Sequence, residues 1–175
     1  MKIVPVLDYM DGHVVLAQGG QRASYRAVSK DNSSLLTDHS VEAVIDGYLT
    51  LYPFKNMYIA DLDCICGQSL DIPFWSHALS AYPEIEFWLD IGLQVKDWAE
   101  LAEQCSLLRP IVGTELFSSL SHLQQTLNDL QPYRPILSID MKHDQILGVG
   151  DILTIREHWP DDVILLSLER VGSAD

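Results

Sequence analysis

Apolar residues along this chain follow two alternating rhythms. Short apolar runs rich in β-branched residues, such as Ile3-Val4-Pro5-Val6-Leu7 and Val163-Ile164-Leu165-Leu166, are separated by amphipathic stretches of helical period. The first pattern suits strands and the second helices, so their alternation predicts consecutive βα units and a parallel sheet. Strands are expected near 2–8, 56–61, 85–90, 109–113, 134–140 and 162–168, with helices near 40–52, 72–82, 95–105, 118–130 and 149–158. A further short strand near 13–17 follows Asp11-Gly12, a hairpin turn signal.

The helix limits have chemical reasons. Ser40 and Ser118 or Ser119 can accept hydrogen bonds from first-turn amides. Pro53, Pro83, Pro132 and Pro160 each follow a helical stretch closely, and proline supplies no N–H to continue one. No linker or change of composition interrupts the pattern, so 1–175 reads as a single domain whose only long loop runs from Gly19 to Asn32. Repeated βα units suit either an open doubly wound sheet or a closed barrel. A dinucleotide-type glycine fingerprint is absent after the first strand, where Asp8-Tyr9-Met10-Asp11-Gly12 stands, which favours the barrel. A flavodoxin-like open sheet binding a nucleotide is the alternative and requires a different strand order.

Composition narrows the function. With 47% hydrophobic and 21% charged residues the chain belongs with ordinary globular proteins, and its longest apolar runs fall far short of a membrane span. The start, Met1-Lys2-Ile3-Val4-Pro5-Val6-Leu7-Asp8, meets an acidic residue too soon for a signal peptide, so a cytoplasmic location is expected. Cys64, Cys66 and Cys105 fit neither a disulfide framework nor a four-ligand zinc site, and are expected as reduced thiols. The six histidines show no metal-ligand spacing, and no metal or cofactor is expected. A net charge of -14 argues against nucleic acid as a partner but leaves room for a phosphorylated small molecule held by backbone amides.

Candidate chemistry lies at the strand ends: Asp8, Asp61, Asp90, Asp140 and Glu169, with Thr114 at the fourth. Crowded carboxylates raise one another's pKa, which lets one act as acid and another as base near neutrality. The competing reading of each is a helix cap or turn residue. Gly19-Gly20 with Arg22 and Arg26 form either a loop closing over an anionic substrate or a plain solvated loop.

These residues resemble the HisA/HisF-type family of histidine biosynthesis, which comprises phosphoribosylformimino-aminoimidazole carboxamide ribotide isomerase and the cyclase subunit of imidazole glycerol phosphate synthase. The resemblance rests on Ile3-Val4-Pro5-Val6-Leu7-Asp8 with Gly12-His13-Val14-Val15, on Tyr58-Ile59-Ala60-Asp61-Leu62-Asp63, and on Leu137-Ser138-Ile139-Asp140. Gly19-Gly20-Gln21-Arg22, Tyr25-Arg26, Gly67 and Arg170-Val171-Gly172-Ser173 look most like a branch from archaea and methylotrophic bacteria, associated in the latter with the tetrahydromethanopterin C1 carrier.

The resemblance implies that Asp8 and Asp140 are the catalytic acid/base pair of an isomerase or cyclase acting on a phosphorylated aminosugar. It further implies substrate contacts at Asp61, Gly19, Gly20, Arg22 and Glu169, and phosphate contacts at Gly92, Gly113 and Thr114. Its fold is the (β/α)₈ barrel, expected here truncated to about six βα units because the sequence stops after the sixth strand. Open edges would then favour a homo-oligomer. The competing function is a non-catalytic barrel remnant serving as a partner subunit, or an enzyme of C1-carrier biosynthesis.

Overall fold

In a computed structural model, residues 2–18, 22–29, 33–92, 95–105 and 107–172 are described. The chain opens with β1 (Val6–Met10), β2 (His13–Leu16) and β3 (Arg26–Ala27). Next come α1 (Val41–Leu51), β4 (Asn56–Asp61), α2 (Leu62–Ile65), α3 (Ile72–Ser80), β5 (Glu86–Asp90), α4 (Val95–Gln104) and β6 (Leu108–Gly113). The last elements are α5 (Leu120–Leu130), β7 (Ile136–Lys142), β8 (Gln145–Ile146) and β9 (Asp162–Ser167). All six strands expected from the βα pattern form, the first displaced from 2–8 to Val6–Met10 and the others within two residues of their expected limits. Four of the five expected helices do too, and Ser40 and Ser119 cap α1 and α5 by accepting from the Ala43 and His122 amides. The fifth, near 149–158, is instead a 3-10 helix, Ile152–His158, kinked at Ile155. It buries Ile152 and Ile155 against the core.

The sheet corrects the main expectation. The (β/α)₈ barrel, truncated to six units, is not what forms: the described residues make a nine-stranded, mostly parallel sheet that stays open. Its order is β3-β2-β1-β4-β5-β6-β7-β8, with β9 also pairing with β7, and no ladder joins β1 to β9. The reason lies at β1, whose outer edge is occupied by its own hairpin through Asp8↔Val15, Tyr9↔Val14 and Met10↔His13. Below the hairpin, the Tyr48 hydroxyl of α1 donates to the Val6 carbonyl at 2.9 Å. An edge covered in this way offers little to a closing strand.

The order of the parallel strands is consecutive, unlike a doubly wound sheet, so right-handed crossovers place the helices on one face. Alternation along each strand then sorts the side chains. Leu7, Ile59, Leu89, Leu137 and Ile139 join Ile45, Trp75, Trp98, Leu101 and Leu123 from the helices in one core. The alternate residues Asp8, Tyr58, Trp88, Asp90, Asp140 and Leu166 line a concavity of about 1680 Å³.

Each end of this concavity is held by a specific contact. At the amino ends of the strands, buried Arg109 reaches Asp162 at 2.7 Å and the Arg134 carbonyl at 2.8 Å, with Glu86 at 3.8 Å. Glu86 is also the acceptor for Asn56 and Trp88, so β4, β5, β6 and β9 share one polar network. At the carboxyl ends, Gly172 lies against the Ala17 carbonyl so closely that any β-carbon there would overlap it. That contact joins the turn after β9 to the end of β2 without a ladder. No helix of the described residues is long and apolar enough to cross a membrane.

Candidate active site

Asp140 is the best-anchored carboxylate in the concavity. It sits in β7, only 4% exposed, where Ser138 Oγ donates to Oδ1 at 2.7 Å and the Glu115 amide approaches Oδ2 at 3.4 Å. Its own amide donates to Thr114 Oγ1 at 3.1 Å. Gly113 makes room for it, since a β-carbon at that position would stand 2.8 Å from Oδ2. Burial, followed by the charge of Glu115, raises its pKa to about 6 against the opposing hydrogen bonds.

Asp90, at the end of β5, is the second member. The Gly92 amide donates to its Oδ1 at 3.0 Å and the Tyr58 hydroxyl to its Oδ2 at 3.3 Å. Burial raises its pKa to about 7, with Asp140 and Glu115 adding repulsion. Tyr58 is pushed well above the usual phenol range, first by burial and then by the charges of Asp90, Asp140 and Asp8. One phenol thus lies within the fields of three aspartates contributed by three strands.

Asp8 lines the same concavity, half-buried on β1. Register places it level with Ala60, and Ala60 level with Asp90. At the usual strand spacing, the Cα atoms of Asp8 and Asp90 lie roughly 10 Å apart. Asp8, Asp90 and Asp140 therefore share one inner face, with the small residues Ala60 and Gly113 on the strands between them. The mouth also carries the exposed cations Arg26, Lys142 and Arg170.

Several residues expected at the site stand elsewhere. Asp61 is one position out of phase with Ala60 and faces the helices, where its Oδ1 accepts from the Cys64 amide at 3.0 Å and its Oδ2 from Trp75 Nε1 at 2.8 Å. Glu169 is exposed, and its carboxylate accepts from the His143 amide at 2.6 Å, tying the turn after β9 to the one after β7. Thr114 has no exposed surface, and its hydroxyl is engaged by Asp140. Gly92 has its amide on Asp90, and Gly113 is filled by Asp140. The expected phosphate contacts thus serve the aspartates in this structure. Gly19 and Gly20 lie outside the described residues, as does the side chain of Arg22.

Tyr58, Ser138 and Glu115 were not expected at the site, whereas Asp90 was expected among the strand-end carboxylates without a catalytic role of its own. Strand period would have found two of them: Tyr58 is two residues before Ala60 and Ser138 two before Asp140, hence on the same faces. Among the described residues, no three His, Cys, Asp or Glu side chains converge to hold a metal ion. No family model matches the chain, and no curated protein matches it in sequence.

Proposed function

We propose that this protein is an acid/base enzyme acting on a phosphorylated aminosugar, of the isomerase or cyclase type that the HisA/HisF resemblance implies, and that it works in the cytoplasm. The observation that carries the reading is that Asp8, Asp90 and Asp140 line one concavity in which two of the carboxyls ionise near neutral pH. Groups with such pKa values can both give and take protons under physiological conditions. The free thiols of Cys64, Cys66 and Cys105 suit a reducing compartment.

For an Amadori-type isomerisation, Asp140 in its protonated form gives a proton to the furanose ring oxygen, and the ring opens to a Schiff base. Asp8 removes the C2 proton to form an enolamine, and a proton returned to C1 completes the aminoketose. Oxidation at C2 is balanced by reduction at C1, so no external electron acceptor takes part. The test is turnover of the aminoaldose phosphate used by the isomerase of that family. Asp8→Asn and Asp140→Asn should each lower it by orders of magnitude with the circular dichroism unchanged. Wild-type rates in both variants defeat the reading.

A second reading, self-association as a partner subunit, is favoured by the asymmetry of the sheet edges. The hairpin covers β1, whereas β9 among the described residues pairs with β7 alone and exposes Val163 and Leu165, the latter at 72%. Light scattering tests it, a monomeric mass at high concentration counting against it.

A further inference from the structure

The chain has 11 lysines and arginines against 25 acidic residues, and what sets some of its cations apart is where the unpaired ones gather. Arg109, Arg134 and Lys55 all have acidic partners. Arg26, Lys142 and Arg170 form no ion pair among the described residues, yet all three are exposed and line the concavity. Unpaired cations in an acidic protein lower the total repulsion most by pairing with the carboxylates nearby. Here the neighbouring Glu169 is turned to the His143 amide instead.

Backbone contacts bring the segments that carry the three cations together. Arg26 is the register partner of Leu16, the residue before Ala17. Ala17 touches Gly172, which closely follows Arg170. Met141, beside Lys142, pairs with Ser167 at the base of the Leu168–Arg170 turn. Lys142 and Arg170 thus lie near the contact between the turn after β9 and the end of β2. Lys142 is two residues beyond Asp140 on β7, on the same face and about 7 Å further out. That interval is roughly the span from the ring atoms of a pentose to its terminal phosphate.

We propose that Lys142 and Arg170 form the binding site for a phosphate monoester, holding its dianion at the mouth while the sugar reaches inward to Asp140. Arg supplies forked donors and Lys a compact charge, a combination suited to a dianion. The site replaces the expected phosphate contacts at Gly92, Gly113 and Thr114, which are committed to the aspartates. Only the placement of the sugar rests on the acid/base reading.

The test is calorimetric titration of the full chain with ribose 5-phosphate, inorganic phosphate and ribose at low ionic strength. Ribose 5-phosphate should bind saturably, inorganic phosphate should compete, and ribose alone should bind far more weakly. Lys142→Ala and Arg170→Ala, both on exposed side chains, should each weaken ribose 5-phosphate by about tenfold or more, with the loss deepening in the double variant. Arg156→Ala, outside the concavity, should match wild type. The proposal is overturned if wild type binds neither phosphate species, if ribose binds as well as its phosphate, or if the double variant binds within about twofold of wild type. Phosphate binding without aminoaldose turnover would sink the enzyme reading and leave this site standing. Turnover with an unchanged KM in the double variant would do the reverse.

Discussion

Gly113 and Asp140 share one volume: the carboxylate Oδ2 lies 2.8 Å from the point a β-carbon on Gly113 would occupy. Gly113→Ala must therefore displace Asp140 from Ser138 and from the Glu115 amide, or distort β6. We expect turnover to fall about 100-fold, as for an angstrom-scale misplacement of a reacting group. Stability should fall by about 1–3 kcal/mol through overpacking. Steady-state kinetics and a denaturant melt on the same sample check both.

Asp90 gives the fold a definite pH dependence. An unfolded aspartate ionises near ~3.9, whereas folded Asp90 does so at about 7. The folded chain holds the extra proton between those values, so this contribution to stability is fully present below the lower one, declines as pH rises, and is gone above the upper one. Asp90→Asn removes that decline. Relative to wild type, the variant should gain on the order of 1–3 kcal/mol between pH 5 and pH 8, discounted for partial exposure. An equal difference at both pH values, measured by guanidinium melts, would show that Asp90 ionises normally.

Tyr58 favours the ionised form of Asp90 by donating to it. Tyr58→Phe removes that donor and should move the Asp90 carboxyl titration to higher pH. A carbon-13 NMR titration reads this directly. A downward movement would mean that the phenol contributes more by shielding the carboxyl from water than by its hydrogen bond.

Asp61 and Asp90 end neighbouring strands yet predict opposite phenotypes. Asp61→Ala removes the cap of α2 and leaves the buried Trp75 Nε1 without its acceptor. We expect a loss of about 2–4 kcal/mol, with altered tryptophan fluorescence and a KM for sugar phosphate close to wild type. A raised KM at unchanged stability would return Asp61 to the binding site.

Arg109→Ala leaves Glu86 and Asp162 without their common cation at the base of the concavity. The cost should be about 2–3 kcal/mol, less than for a fully buried pair because half of Asp162 faces solvent. Thermal unfolding at moderate salt measures it.

The parallel strands were legible because their apolar runs are short and bounded by turn signals, and Asp8 and Asp140 because they close two of the most recognisable runs. Closure was not legible. It depends on whether the outer edge of β1 is free, and that is decided by the pairing of Val15 with Asp8 and by a hydroxyl 42 residues away on Tyr48. Asp61 misled because it closes an apolar run as Asp8 and Asp140 do. Its side chain lies one step out of phase with Ala60, and a one-residue change of phase reverses the face. Lys142 and Arg170 left no mark because isolated cations after a strand form no motif. Only the fold makes them neighbours.

The touch between Ala17 and Gly172 spans nearly the whole described chain, whereas each parallel strand pairs with the one next in order. Local pairings close short loops and form early, while so distant a contact carries the largest ordering cost and forms late. During folding, the scaffold is therefore assembled first and the mouth last. An intermediate arrested before that final step would hold its aspartates in place with no cationic arc above them.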